Sequence, residues 1–301
     1  MKQESIKDTK KTKQGLIAGL IAYLCYGLFP IYIKSIEVIP SVEVLAHRII
    51  WSVPFGLLIV ILRKQFPEIK RALTDIRIVS YLFVSALLIA SNWYIYIYAV
   101  QSNQLLQASL GYYINPLFYV LVGVVFLKER LRTLQGIAIF FAGIGVLILT
   151  FSTGKFPWIS IALASLFTLY GVIRKNIAVG AMPGLFIETL IICPFALIYF
   201  HYLTQGTFAI FAGDESSMIV LLLLAGPVTV IPLLCFAIAA RKLRLTTIGM
   251  MQFLSPTMQF VIALLYGETL SQASMLCFAC IWLAISIFLY DALTEKDINS
   301  Y

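Results

Sequence analysis

Apolar residues fill this chain in long runs, and polar positions gather in the short intervals between them. The runs cover approximately residues 15–34, 42–62, 78–100, 105–127, 132–151, 157–174, 183–203, 217–240, 245–267 and 272–292. Each is about 18–26 residues long, enough to cross a ~30 Å hydrocarbon core at about 1.5 Å per residue. Lipid offers no partner to a backbone amide, so such runs predict helices. The first run is too long for a signal peptide and lacks a small-residue cleavage site before the next segment.

The placement of lysine and arginine supports ten spans. Of the 22, five lie in the N-terminal tail (Lys2, Lys7, Lys10, Lys11, Lys13). Five more lie between spans two and three (Arg63, Lys64, Lys70, Arg71, Arg77). Lys128, Arg130, Arg132, Arg174, Lys175, Arg241, Lys242, Arg244 and Lys296 join them on one side if ten helices alternate. The other side keeps Lys155, while Lys34 and Arg48 lie within runs. Positive charge is retained in the cytoplasm, so both termini are expected there. Composition agrees: 61% hydrophobic, 12% charged, mean hydropathy +0.94, where soluble domains carry roughly 25% charged residues. The net charge of +8 then reads as a topology signal and an attraction to anionic lipid, with no nucleic-acid partner implied.

Two stretches repeat. ASLGYYINPLFYVLVGVVFLKERL (108–131) resembles TTIGMMQFLSPTMQFVIALLYGETL (246–270), each with a Pro near mid-span and a Glu 12 or 13 residues later. CYGLFPIYIK (25–34) resembles LYGVIRK (169–175) around Tyr-Gly. A repeat of five spans is odd, so the second copy must be inverted. The expected fold is therefore an all-α membrane protein, ten transmembrane helices in two inverted five-helix repeats. Residues 15–151 form the first repeat and 157–293 the second, with cytoplasmic tails at 1–14 and 294–301. Secondary transporters are commonly built this way and hold substrate near the midplane between the repeats. Pro116, Pro227, Pro232 and Pro256 are candidate helix breaks, since each removes a backbone donor.

Polar groups at depth are the candidate chemistry. Asn92-Trp93-Tyr94 with Tyr96 and Tyr98, then Tyr112, Tyr113 and Asn115, then Gln252 and Ser255, and the repeated Tyr26 and Tyr170 suit an aromatic cavity with a few amides. Such a cavity fits an amphipathic organic solute. An interfacial aromatic belt is the other reading of Tyr96 and Tyr98, and an interhelical hydrogen bond the other reading of Asn92 and Asn115. Ionisable residues in the core are few, Glu43, His47 and Arg48 in span two and Glu188 in span seven, while Lys34, Glu129, Glu268 and Asp291 sit at span ends. Glu43 and His47 are four apart and share a helix face, which Trp51 continues. His47 and Arg48 have three open roles: proton coupling, anchoring a substrate carboxylate, or holding two helices in register. The five cysteines all lie inside apolar runs, and the CxxC of Cys277 and Cys280 reads as small-residue packing.

HRIIWS (47–52), SNW (91–93), ASLGYYINPL (108–117), LYGVIRK (169–175), the Glu188-Thr189 pair, PLLCFAIAA (232–240) and YGE (266–268) together resemble the RarD branch of the EamA family, in the drug/metabolite transporter superfamily. The resemblance covers nearly the whole chain; Ser91, where Gly is expected before Asn-Trp, is a small departure. It implies a multi-pass permease of the bacterial inner membrane, exporting metabolites, amino acids or drugs, and the branch name carries a label of chloramphenicol sensitivity. It further implies a cavity built by helices one, three and four and their mates six, eight and nine. That brings Tyr26, Asn92, Trp93, Tyr112, Asn115 and Gln252 forward as substrate-binding residues and leaves His47 and Arg48 on a more peripheral helix.

No phosphate-binding G-x-x-x-x-G-K-[ST] loop is present, so ATP drive is not expected, nor any cofactor. Two histidines, His47 and His201, far apart in the chain, argue against an intramembrane enzyme. The alternative function is a non-transporting membrane sensor or assembly protein. The partners expected are a small-molecule substrate, the lipid bilayer, protons as a coupling ion, and a second copy through the small-residue face GLIAG (15–19), against which packing within one chain competes.

Overall fold

In the computed structural model the described parts of the apolar runs are helices. The structure describes residues 2–127, 132–154, 156–203, 216–242 and 251–298. Glu129, Lys155 and residues 245–250 of the expected ninth span lie outside the described residues. In chain order the helices are α1 (Lys2–Ser35), α2 (Ser41–Leu62), α3 (Phe66–Thr74), α4 (Ile76–Gln101), α5 (Leu105–Leu127) and α6 (Thr133–Thr153). These are followed by α7 (Trp158–Asn176), α8 (Ala181–Leu203), α9 (Ser216–Leu223), α10 (Ala225–Lys242), α11 (Leu254–Leu265) and α12 (Gln272–Ile298).

Among the described residues, seven helical segments are long and apolar enough to cross a membrane, and two shorter apolar ones lie in α7 and α11. The surface is built for lipid. Ile17, Leu58, Phe140, Phe151, Phe195 and Leu283 are exposed, whereas Glu43, Arg48, Asn92, Asn115, Glu188 and Gln259 are buried. In water that arrangement would be costly in both directions.

Sequence periodicity did not anticipate two features. The lysine-rich tail continues α1 without a break, because Lys, Gln and Glu are good helix formers. Between spans two and three, α3 is a nine-residue helix with Pro67 in its first turn and Ile69 and Ala72 buried. Asp75 then accepts the Arg77 N–H at 2.9 Å and starts α4.

The prolines act less uniformly than expected. Proline clashes with the carbonyl four residues earlier and leaves it without a donor. Pro227 and Pro256 obey this rule: helices end at Leu223 and Gln252, four residues before each, and resume as α10 and α11. Pro232 lies inside α10 and Pro116 inside α5, both within continuous helix. For these two the expected break is corrected.

Packing is dominated by contacts across the chain. Helix α1 packs on α10 and α11, α7 on α4 and α5, α2 on α8, α5 on α11, and α6 on α12. Small residues bring these helices close. A methyl group at Gly145 would meet the Cys280 Cβ at 3.0 Å and the Cys277 carbonyl at 3.1 Å, so both cysteines are packing residues of the α6–α12 contact. Gly19 of the GLIAG stretch faces Met251 and Ala239 of its own chain. At Gly111 an added Cβ would lie 2.8 Å from the Ser160 carbonyl oxygen on α7, a backbone atom that cannot swing away. Gly111→Val is therefore expected to cost about 1–3 kcal/mol as overpacking, read as a lower midpoint of thermal aggregation in detergent. Gly143→Val, with open space around it, is the control expected to melt like the parent.

Candidate functional site

Successive residues on a helix point about 100° apart, so the adjacent His47 and Arg48 face different neighbours. His47 turns toward α8. Its Nδ1 accepts a hydrogen bond from Trp51 Nε1 at 3.2 Å, and its ring meets Phe200 edge-on at 4.7 Å. Glu43, one turn earlier, is buried on the same side of α2.

Arg48 turns the other way, into the middle of the molecule. It is only 5% exposed. Its Nε donates to Thr229 Oγ1 of α10 at 3.1 Å. The guanidinium lies 4.6 Å from the ring centroids of both Phe29 on α1 and Trp93 on α4. Those faces carry the negative lobe of the ring quadrupole and attract a desolvated cation by roughly 2 kcal/mol or more. Tyr26, Tyr32, Tyr96 and Tyr112 all stand within electrostatic range of it. The family resemblance implied a more peripheral helix for Arg48, and from α2 its side chain reaches the aromatic cluster. It neither snorkels outward nor pairs with an acid among the described residues.

The amides frame the same cluster. Asn92 Nδ2 donates to the Leu163 carbonyl of α7 at 3.1 Å, and its Oδ1 accepts from the Tyr112 hydroxyl at 3.4 Å. Asn115 Oδ1 accepts from Thr168 Oγ1 at 2.8 Å, while its buried Nδ2 has no partner. Gln259 of α11 donates to the Tyr26 carbonyl at 3.1 Å and to Ser255 Oγ at 3.2 Å, leaving a buried, unpartnered Oε1. The Tyr96 hydroxyl is likewise buried without a partner. Rings tie these groups together: Tyr96 stacks on Phe29 at 5.7 Å and tilts against Tyr112 at 5.7 Å, and Tyr112 meets Phe167 at 6.2 Å. Tyr96 therefore belongs to the core, while Tyr98, two residues on, is exposed and suits a belt position.

Each end of the molecule carries a polar tie. At one, Glu188 on α8 is 1% exposed and accepts from Ser85 Oγ of α4 at 2.5 Å and from the Tyr170 hydroxyl of α7 at 3.3 Å. Arg174 Nε stands 3.6 Å from it and also reaches the Gly180 carbonyl at 3.0 Å. The Gly180 N–H donates to Glu68 of α3 at 2.6 Å, which fastens the short helix to the α7–α8 turn. At the opposite end, Lys34 donates to Asn103 at 2.7 Å and to Glu37 at 3.0 Å. Glu268 accepts the Leu105 and Leu106 N–H groups at 2.6 and 2.9 Å, capping α5 from the α11–α12 turn. Gln101 donates to the Ile39 carbonyl at 2.8 Å and bonds Ser41.

The structure thus brings together Tyr26, Asn92, Trp93 and Tyr112 around Arg48. Asn115 lies one turn below Tyr112 on α5. Gln252 is half-buried just before α11, and the amide seen to bond a residue of the cluster is Gln259. Sequence reasoning passed over Gln259, Thr168, Thr229 and Arg174. Gln259 carried a usable signal, since it sits four residues after Ser255 on the same face. The hydroxyls carried none, being common in any span.

Residues 13–151 match the EamA-like transporter family. The Protein RarD of Salmonella typhi is 41% identical over 287 residues, covering 95% of this chain and 98% of its own. An uncharacterized transporter of Pseudomonas aeruginosa is 41% identical over 285 residues, covering 94% and 96%. A solved crystal structure aligns over 91% of this chain and 96% of its own with a TM-score of 0.61 at 16% identity, a likeness of fold.

Proposed function

Because the chain belongs to the EamA-like transporter family, in its RarD-type branch of the drug/metabolite transporter superfamily, we propose that it is a secondary transporter exporting small amphipathic metabolites, amino acids or drugs by alternating access. The observation that carries this reading is one enclosed polar-aromatic cluster with a polar tie at either end of the molecule. A carrier needs a central site and two barriers that open in turn.

The packing order supports ten membrane helices in two inverted repeats. Exchange the halves so that α1 corresponds to α7, α2 to α8, α4 to α9–α10, α5 to α11, and α6 to α12. The contact of α1 with α10 then becomes that of α7 with α4, and α1 with α11 becomes α7 with α5. The contacts α2–α8, α5–α11 and α6–α12 map onto themselves, as pairs across a two-fold axis do. The Lys and Arg asymmetry supports a bacterial inner-membrane location with both termini cytoplasmic. On that orientation the Arg174–Glu188 tie closes the cytoplasmic side and the Glu268 tie the outer side.

The test is uptake by purified protein in liposomes, with labelled amino acids and chloramphenicol, under imposed inward and outward proton gradients. Asn115→Ala is expected to abolish any transport found, since Asn115 presents an unpaired amide next to the cluster. His47→Ala is expected to retain uptake and to lose its gradient dependence if His47 couples protons; uptake indifferent to pH and to this change makes His47 structural. No transport of any solute by folded protein would favour the sensor reading.

A further inference from the structure

A guanidinium taken out of water needs a counter-charge, and leaving one uncompensated is among the most costly arrangements in a protein or a bilayer. Arg48 is buried, yet among the described residues no carboxylate lies within ion-pair distance of it. The other buried acids are held elsewhere. Glu188 is occupied by Ser85, Tyr170 and Arg174. Glu268 caps α5. Glu43, five residues before Arg48, sits on the α8 side of α2. Among the described residues, Thr229 is the hydrogen-bond acceptor of Arg48, at its Nε, and the terminal fork of the guanidinium lies against ring faces. Of the surrounding phenols, Tyr32 donates to the Leu221 carbonyl and Tyr112 to Asn92, and the Tyr96 hydroxyl is buried without a partner.

The geometry points to Arg48 as an anion subsite, in which the terminal fork of the guanidinium takes the carboxylate of an amphipathic organic solute while the surrounding rings take its apolar part. This rests on the transporter reading and narrows its substrate class. Arginine suits the task because its planar fork matches a carboxylate with two parallel hydrogen bonds, which a lysine cannot do. Thr229 fixes the Nε edge and leaves the opposite edge to the ligand. Trp93, Phe29, Tyr96 and Tyr112 supply flat apolar faces beside it. The Tyr96 hydroxyl and the Asn115 and Gln259 amides add single donors or acceptors that a polar substituent on the solute would satisfy. A neutral solute would leave the cation uncompensated. A cationic one would add a second positive charge to it.

The experiment uses full-length protein in lipid nanodiscs and three probes of one shape: 3-phenylpropionate, 3-phenylpropanamide and 3-phenylpropylamine. Binding is read by calorimetry and by ligand-induced thermal shift. The wild-type protein is expected to bind the carboxylate at least tenfold more tightly than the amide, and the amine least. Arg48→Gln is expected to bind carboxylate and amide alike. Should Arg48→Gln fail to fold, Arg48→Lys serves: it keeps the charge, loses the fork, and is expected to weaken the carboxylate by tenfold or more while changing the amide little. Equal binding of carboxylate and amide by wild type, no binding of any probe, or a carboxylate preference that survives Arg48→Gln would each overturn the subsite. The transporter reading fails separately. A neutral or cationic solute carried by wild type and by Arg48→Gln alike would uphold transport and refute the anion subsite.

Discussion

Arg174→Met is expected to lower the stability of the folded protein by about 3–5 kcal/mol, the usual cost of stripping one partner from a buried ion pair. Glu188 would remain 1% exposed on α8, with only Ser85 and Tyr170 to hold its charge. Arg174 also binds the Gly180 carbonyl, and its guanidinium fills the space over Gly184, where even a methyl group would collide with it. The double variant Arg174→Met/Glu188→Gln removes both charges and is expected to regain most of the loss, because the penalty comes from the orphaned carboxylate. Unfolding followed by thermal aggregation and by protease resistance in mild detergent reads both variants. If Arg174→Met melts like wild type, or the double variant is no better than the single one, the pair is not a buried tie.

The second large effect is expected at the other end. Glu268 joins the α11–α12 turn to the start of α5 through two backbone N–H groups. Two orphan donors at a helix start attract a carboxylate strongly, since the dipole and the hydrogen bonds add. Glu268→Ala should release this tie and add a longer distance between spin labels at Val38 and Leu265, both exposed at that end. An unchanged distance distribution would show that the tie holds nothing closed. The pH dependence has a definite sign. Burial raises the Glu268 carboxyl above its ordinary 4.5, opposed by the Leu106 and Leu105 N–H groups and by Lys34. A site whose pKa is raised in the tied state binds its proton more readily there than when released into water. Acidification therefore favours the tied state, and the long-distance population of the wild-type protein shrinks as pH falls.

The sequence and the structure meet most closely where the signal was hydrophobic length. Apolar runs were legible because a bilayer imposes one thickness on every span, and seven helical segments among the described residues are long and apolar enough to cross one. The duplicated Tyr-Gly and Asn-Pro or Ser-Pro stretches pointed to halves, which is the reading proposed above for the helix pairs in contact. What could not be read was direction around a helix. His47 and Arg48 are adjacent letters, yet one meets Phe200 on α8 and the other the rings of Phe29 and Trp93. A periodicity argument needs an amphipathic contrast to fix the inward face, and α2 is apolar almost all round. The same limit hid Gln259 behind Gln252. Two glutamines in one span look equivalent until Pro256 ends the preceding helix at Gln252 and sets the register of α11. Pro116 and Pro232 show the converse, since proline inside a span need not break the helix when neighbouring groups satisfy the freed carbonyl.

The central claim is that one enclosed site serves both sides of the membrane in turn, and counterflow tests it most directly. Liposomes holding purified protein are loaded with an unlabelled solute found in the uptake screen, then diluted into a trace of the labelled form. A carrier exchanges label inward against the outward flow, so labelled solute is predicted to rise transiently above its equilibrium level. The overshoot should saturate with concentration and vanish in Asn115→Ala. Uptake that approaches equilibrium with no overshoot would mark an open pore, and would contradict alternating access through this site.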